Sequence, residues 1–214
     1  MTEPAWEQAK AALAAGDHER AGDLIDVAVR RWRRLQDYSI NWVTSLLSFI
    51  GRELGEDAVE RALRQFGEEF VARRRGEGWD ALPAEARARA IARAMVANFG
   101  TCDVSEDEEK IVLSFRCGTG GRLIDDGRYE DDGAYLTLTE PGPRTFGRRA
   151  LPVYCAHCSI NNEVQPVEWG GAPTTVEYPP EAPGQPCVHH VYKDVGAIPA
   201  EVYERIGKDP PSPR

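Results

Sequence analysis

Apolar residues recur at helical spacing through the first hundred positions and predict five helices. The first runs from Pro4 through "EPAWEQAKAALAAG" and stops at Gly16. Asp17 can cap the second, whose stripe is Leu24, Ile25, Val27, Ala28, Val29, Trp32 and Leu35. Asp37 precedes a third, where Trp42, Val43, Leu46, Leu47, Phe49, Ile50 and Leu54 cover a wide arc and predict the most buried helix. Gly55 closes it. The fourth opens on Glu56 and Asp57 and ends on Arg73, Arg74 and Arg75, a charge order that suits the helix dipole. After a loop, "GEGWDAL", Pro83 starts the fifth, which stops at Gly100.

From residue 101 the period changes to two. "KIVLSFRC" and "AYLTLTE" alternate, and "ALPVYCAHCS", "EVQPVEWG", "TTVEYPP" and "CVHHVYK" are further strand candidates. Asn161-Asn162 looks like a hairpin turn. The fold class expected is α+β, with N-terminal helices packed on a C-terminal, mostly antiparallel sheet. Residues 1–100 form the helical half and 101–207 the sheet half of one integrated domain, and 208–214 form a mobile proline-rich tail.

Bulk properties narrow the function classes. The chain has 214 residues, 42% hydrophobic, enough for a core without staples. A formal charge of −9 argues against nucleic-acid binding, which needs a basic face. The start of the chain has no signal-peptide pattern, and "WVTSLLSFIG" is about half a membrane span. A cytoplasmic protein with no membrane partner is expected, with its five cysteines reduced.

Four cysteines and three of the four histidines lie in the sheet half, at turn-flanked positions: Cys117, Cys155, Cys158 and Cys187, with His157, His189 and His190. A Cys-x-x-Cys pair can chelate one ion, and zinc needs two further ligands, which Cys117, Cys187 or His189 could supply. A redox dithiol is a second possibility, although it wants the first cysteine at a helix N-terminus and here strands flank the pair. Burial as small hydrophobes is a third. Cys102 reads as packing. "RCGTGGRL" lacks the Lys-Ser/Thr of a P-loop and has no helix pattern directly after it, so a hairpin or bulge is expected. If a site forms there, Arg116, Arg122 and Arg128 could hold a carboxylate. "DDGRYEDDG" lacks calcium-loop spacing and reads as a solvated turn.

The order of these segments, ending in "PGQPCVHHVY", resembles the aminothiazoline-carboxylate hydrolase-like family. It is more loosely similar to vinyl-reductase-type small-molecule-binding domains, whose closing Gly-x-x-Cys-x-aromatic strand would here be Gly184, Cys187 and His189. The resemblance implies a pocket between helices and sheet and a small sulfur- and nitrogen-containing substrate or an apolar ligand.

Three functions are therefore expected. One is a zinc-dependent hydrolase of a small heteroatom-containing molecule. Its metal ligands are Cys117, Cys155, Cys158 and Cys187, its catalytic groups His157 and His189, and its substrate contacts Arg116 and Arg122. Another is a small-molecule-binding module with structural zinc. The third is a metal-free hydrolase in which Cys117 attacks, His157 or His189 is the base, and the backbone from Gly118 to Gly121 stabilises the oxyanion. Cys155 and Cys158 are expected within chelating distance of each other and of Cys117 or Cys187.

Overall fold

The structure is a computed structural model that describes residues 3–75, 78–130 and 134–210. Parts of the features foreseen at 76–82, 125–133 and 208–214 lie outside the described residues, as do the side chains of Arg74 and Arg75. The protein is α+β. It divides into two compact units, Met1–Trp42 and Val43–Arg214, and the change of pattern at residue 100 falls inside the second.

In the first unit, α1 (Ala5–Ala14) and the start of α2 (His18–Leu54) bury Ala5, Ala9, Ala12 and Ala21. Gly16 takes a left-handed φ of 78°, and the N–H of Asp17 donates back to the Ala12 carbonyl at 2.9 Å, which closes α1. Asp17 then accepts from the Arg20 N–H at 3.1 Å and caps α2 as foreseen.

Two expected helices are one. α2 runs unbroken for 37 residues through Asp37. An aspartate inside a helix costs only about 0.7 kcal/mol or less, and no proline or glycine stands between Gly22 and Gly51 to stop propagation. Nor is the stretch after Asp37 the most buried. Leu47, Thr44 and Ser48 are buried, but Trp42, Leu46, Phe49 and Leu54 are exposed.

In the second unit, α3 (Glu56–Phe66) widens into a π-helical turn, Gly67–Val71, and resumes as α4 (Ala72–Arg75). A 3₁₀ turn, Trp79–Ala81, and α5 (Ala84–Ala97) follow. Four strands form one antiparallel sheet in the order β1-β2-β6-β5: β1 (Thr101–Glu106), β2 (Lys110–Arg116), β5 (Val176–Tyr178) and β6 (Cys187–Tyr192). β3 (Thr137–Leu138) and β4 (Leu151–Pro152) make a separate two-residue ladder. Directly opposed residues of an antiparallel sheet share a face. One face therefore carries Phe115 opposite Cys187, Leu113 opposite His189, and Ile111 opposite Val191. α5 packs on it through Ala84, Ala88 and Met95.

The largest departure from the expected strands lies at 153–168. The run is helical throughout: a 3₁₀ turn (Val153–Cys155), α7 (Ala156–Cys158), a π-helical segment (Ser159–Val164) and α8 (Gln165–Glu168). Asn161 and Asn162 lie inside it and form no hairpin turn. Val153, Ala156, Ser159, Ile160, Glu163 and Val164 are all wholly buried, so no polar face marks the period, and the π turn shifts what period remains. A short helix, α6 (Gly120–Asp125), follows Cys117-Gly-Thr directly, where a hairpin or bulge was expected. α9 (Ala200–Glu204) closes the unit. Among the described residues, no helix is long and apolar enough to cross a membrane.

Candidate functional site

Strand pairing and the 153–168 helical run bring the reactive side chains together. Cys187 and His189 are two apart on β6 and point to the same face. Glu177 of β5 stands directly opposite His189 and shares that face. Cys187 Sγ lies 3.4 Å from Nε2 of His189, and Nδ1 of the same ring lies 3.3 Å from Glu177 Oε1. The second contact is at ion-pair distance without the alignment of a hydrogen bond. Asn162 Nδ2 donates to the same Glu177 oxygen at 2.7 Å and fixes it. The Phe115 ring meets the imidazole edge-on, with centroids 4.7 Å apart.

Burial sets the charge states. The carboxyl of Glu177 is wholly buried, and desolvation, followed by the nearby Glu163 charge, raises its pKa to about 8. Desolvation, with His190 adding a little, lowers His189 to about 3. Desolvation, with Glu177 next, pushes the Cys187 thiol well above its ordinary range. The resting centre is therefore a neutral thiol, imidazole and carboxylic acid. Next to it Glu163, raised to about 7 mainly by burial, accepts from the Glu177 N–H at 2.7 Å and from Arg205 Nη2 at 2.5 Å.

Cys155 and Cys158 start the helical run rather than ending a strand. They are one turn apart on one side of it, the helix-start placement that the redox reading wanted. Burial raises both thiols, as it does Cys187. His157 donates from Nδ1 to the Tyr154 carbonyl at 2.5 Å, which leaves Nε2 to accept from the Cys158 thiol at 3.4 Å. Its pKa is lowered by burial, against that carbonyl. Cys117 pairs with Thr119 Oγ1 at 3.1 Å, not with a histidine.

The four thiols lie in two apolar clusters, Cys155 and Cys158 against the 153–168 run and Cys117 and Cys187 beneath α5. After burial, the neighbouring sulfurs and Glu177 raise the pKa values of Cys155, Cys158 and Cys187 further, while Arg148 lowers those of Cys155 and Cys187. Among the described residues, no three His, Cys, Asp or Glu side chains are gathered as a metal-holding group.

The glycines at 118–121 are explained by close packing. A Cβ on Gly118 would lie 1.9 Å from the Asn98 carbonyl oxygen, and one on Gly120 would lie 2.8 Å from the Tyr154 ring and 3.3 Å from Cys155 Sγ. Arg116 alternates onto the other face of β2 from Phe115 and is exposed, so the sheet does not bring it to Cys187. Arg122 sits on α6, part-buried. Arg128 stacks on Tyr135, 4.9 Å from the ring centroid.

Glu177, Asn162 and Arg148 were not found from sequence. Only the strand register reveals Glu177, and only the helical run brings Asn162 to it. An open depression of about 500 Å³ in the first unit, between Glu3, Gln8, Asp17 and Arg20, holds none of these groups. No protein-family model, curated protein or solved structure matches the chain.

Proposed function

We propose that the protein is a thiol-dependent hydrolase of a small heteroatom-containing molecule, of the cyclic-amide or thiazoline-like class that the family resemblance implies. Cys187 is the nucleophile, His189 its base, and Glu177 the group that orients the base. One observation supports this: Cys187 Sγ, His189 and Glu177 form a continuous chain of contacts at 3.4 and 3.3 Å. A nucleophile, a base within reach and a third group beside the base are the parts that covalent catalysis uses.

The Cys187 thiol passes its proton to Nε2 as sulfur bonds to the electrophilic carbon. The carbon–heteroatom bond breaks, and the leaving atom takes that proton. Water, deprotonated by the same Nε2, then cleaves the carbon–sulfur bond, and the proton returns to Sγ. Arg148 favours the developing thiolate. Cys187 is the first residue of β6, directly after the exposed segment 181–186, which gives a short route from solvent.

The test is turnover of candidate ring amides and thiazolines. Loss of turnover in Cys187→Ser, with unchanged circular dichroism, supports the assignment. Full activity in that variant removes Cys187 from it.

A zinc-bearing form is the second reading. What favours it is that Cys155 and Cys187 are buried, Cys117 and Cys158 are half-buried, and neighbouring sulfurs raise the thiols of Cys155, Cys158 and Cys187, which a cation in place of their protons would relieve. The donors as placed form pairs, so no catalytic step is assigned to a metal. One zinc ion per chain in untagged protein supports this reading, and a metal-free, fully active protein rejects it.

A further inference from the structure

We infer that Arg205 and Glu163 are positioning residues for the proposed reaction: together they clamp the backbone of Glu177, which keeps its carboxyl beside His189. The inference rests on the thiol-hydrolase reading above. β5 is an edge strand of 3 residues, paired with β6 on one side only. Short edge strands open more readily than the strands inside a sheet. Glu177 is the middle residue of β5, and its N–H and carbonyl are both engaged by side chains. The N–H donates to Glu163 Oε1 at 2.7 Å, and the carbonyl accepts from Arg205 Nη2 at 2.9 Å. The same Nη2 donates to Glu163 Oε1 at 2.5 Å, which ties the two side chains to each other as well as to Glu177. They do for Glu177 what a further strand would do. Because its N–H is spent there and not on β6, Glu177 and His189 are a non-hydrogen-bonded pair, the kind whose side chains approach most closely.

The clamp is itself held. Arg205 follows α9 directly, and its N–H donates to the Glu201 carbonyl at 3.0 Å. Val202 and Tyr203 of α9 are buried in one cluster with Val176 of β5 and Tyr192 of β6. The Arg205 guanidinium lies 4.9 Å from the centroid of the Tyr178 ring and 5.1 Å from that of Phe146. Glu163 is wholly buried in the π-helical segment, next to Asn162, whose Nδ2 donates to Glu177 Oε1 at 2.7 Å. Consecutive residues of one widened turn therefore grip the carboxyl and the backbone of the same glutamate. Such turns recur at functional sites. A positioned base contributes roughly 100-fold or more to a rate, and a displacement of about 1 Å forfeits much of that.

Acetyl transfer from 4-nitrophenyl acetate to Cys187 in the full chain tests the inference, followed by nitrophenolate release and by peptide mass spectrometry. The Cys187 sulfur bonds to the acetyl carbon, its proton passes to His189, and nitrophenolate leaves. Arg205→Met keeps a stem between the two rings but removes the donors, and is expected to slow acylation of Cys187 about tenfold. Arg205→Lys, which can donate to both oxygens, is expected to recover about half of the wild-type rate or more. Arg205→Gln is the milder companion should Arg205→Met fail to fold, and it slows acylation about threefold. Arg64→Met, which removes a part-buried arginine of α3 from its pairs with Glu60 and Glu168, leaves the rate unchanged. A merely structural role gives the opposite sign, because looser packing exposes Cys187 and speeds its acylation. A wild-type or faster rate in the Met or Gln variant, a Lys variant as slow as Met, or equal slowing by Arg64→Met overturns the inference and leaves the hydrolase reading standing. Nitrophenolate release that is unchanged in Cys187→Ser overturns both.

Discussion

His189 and Glu177 face each other across adjacent antiparallel strands, with Nδ1 of the ring 3.3 Å from Oε1 of the carboxyl, and neither is exposed to solvent. In water this pair would be charged. Here desolvation lifts Glu177 to about 8 and holds His189 at about 3, so both are neutral near pH 6.

The sign of the pH dependence follows. Glu177 keeps its proton in the folded chain up to about pH 8 and loses it near 4.5 when unfolded. Its contribution to stability is complete below 4.5 and is lost as pH rises through 8. Denaturant titrations from pH 5 to 8 are expected to show Glu177→Gln with a slope less negative than the wild type by up to about 1.4 kcal/mol per pH unit. Equal slopes would mean that Glu177 is ionised in the folded protein.

Thiol reactivity gives an independent check. Cys187 is buried and protonated, and Gly184, in the exposed segment before it, donates to Asp125 Oδ1 at 2.6 Å. Iodoacetamide at neutral pH is expected to label Cys187 on the order of tenfold more slowly in the native protein than in urea. Asp125→Ala is expected to narrow that gap, as followed by peptide mass spectrometry.

Arg144 should be among the most costly residues to remove. Its side chain is only 8% exposed, yet it meets Asp57 at 2.9 Å, Glu56 at 3.4 Å, Glu60 at 3.5 Å, and Glu140. Arg144→Ala removes the cation shared by two half-buried carboxylates, Glu56 and Glu60, and two exposed ones, Asp57 and Glu140, and is expected to cost about 1–3 kcal/mol by chemical denaturation. Arg144→Lys, which keeps the charge but not the fork, falls between.

Gly67 sits where α3 widens, and a Cβ there would lie 1.8 Å from Gln165 Oε1 and 2.6 Å from Asn161 Nδ2. Those two amides donate to the Arg64 and Leu63 carbonyls at 2.9 and 3.0 Å. Gly67→Ala is expected to destabilise by about 1–3 kcal/mol. In a Gln165→Ala background the extra cost should shrink, and strict additivity would rule out that clash as the cause.

How far the sequence could be read depended on whether a segment has two distinguishable faces. β2 and β6 alternate and were legible. β1, "TCDVSE", is mostly exposed and carries no apolar alternation to read. The 153–168 run failed for the opposite reason, being buried nearly all round. Cys187 and His189 stood out by residue type, whereas Glu177, one acid among 35 acidic residues, becomes distinctive only when strand register puts it opposite His189. Asp37 has the chemistry of a cap, but nothing before it ends the helix.

β6 is an inner strand, hydrogen-bonded to β2 on one side and β5 on the other. Cys187, at its start, is paired with Phe115 of β2 and lies one residue beyond the β5 ladder, which ends at Val188. A reactant must reach it past the 181–186 segment or wait for α5, which packs on the same face of the sheet through Ala84, Ala88 and Met95, to lift. Reaction at Cys187 is thus gated by an opening equilibrium, and its rate should follow the hydrogen-exchange rate of the amides that break in that opening.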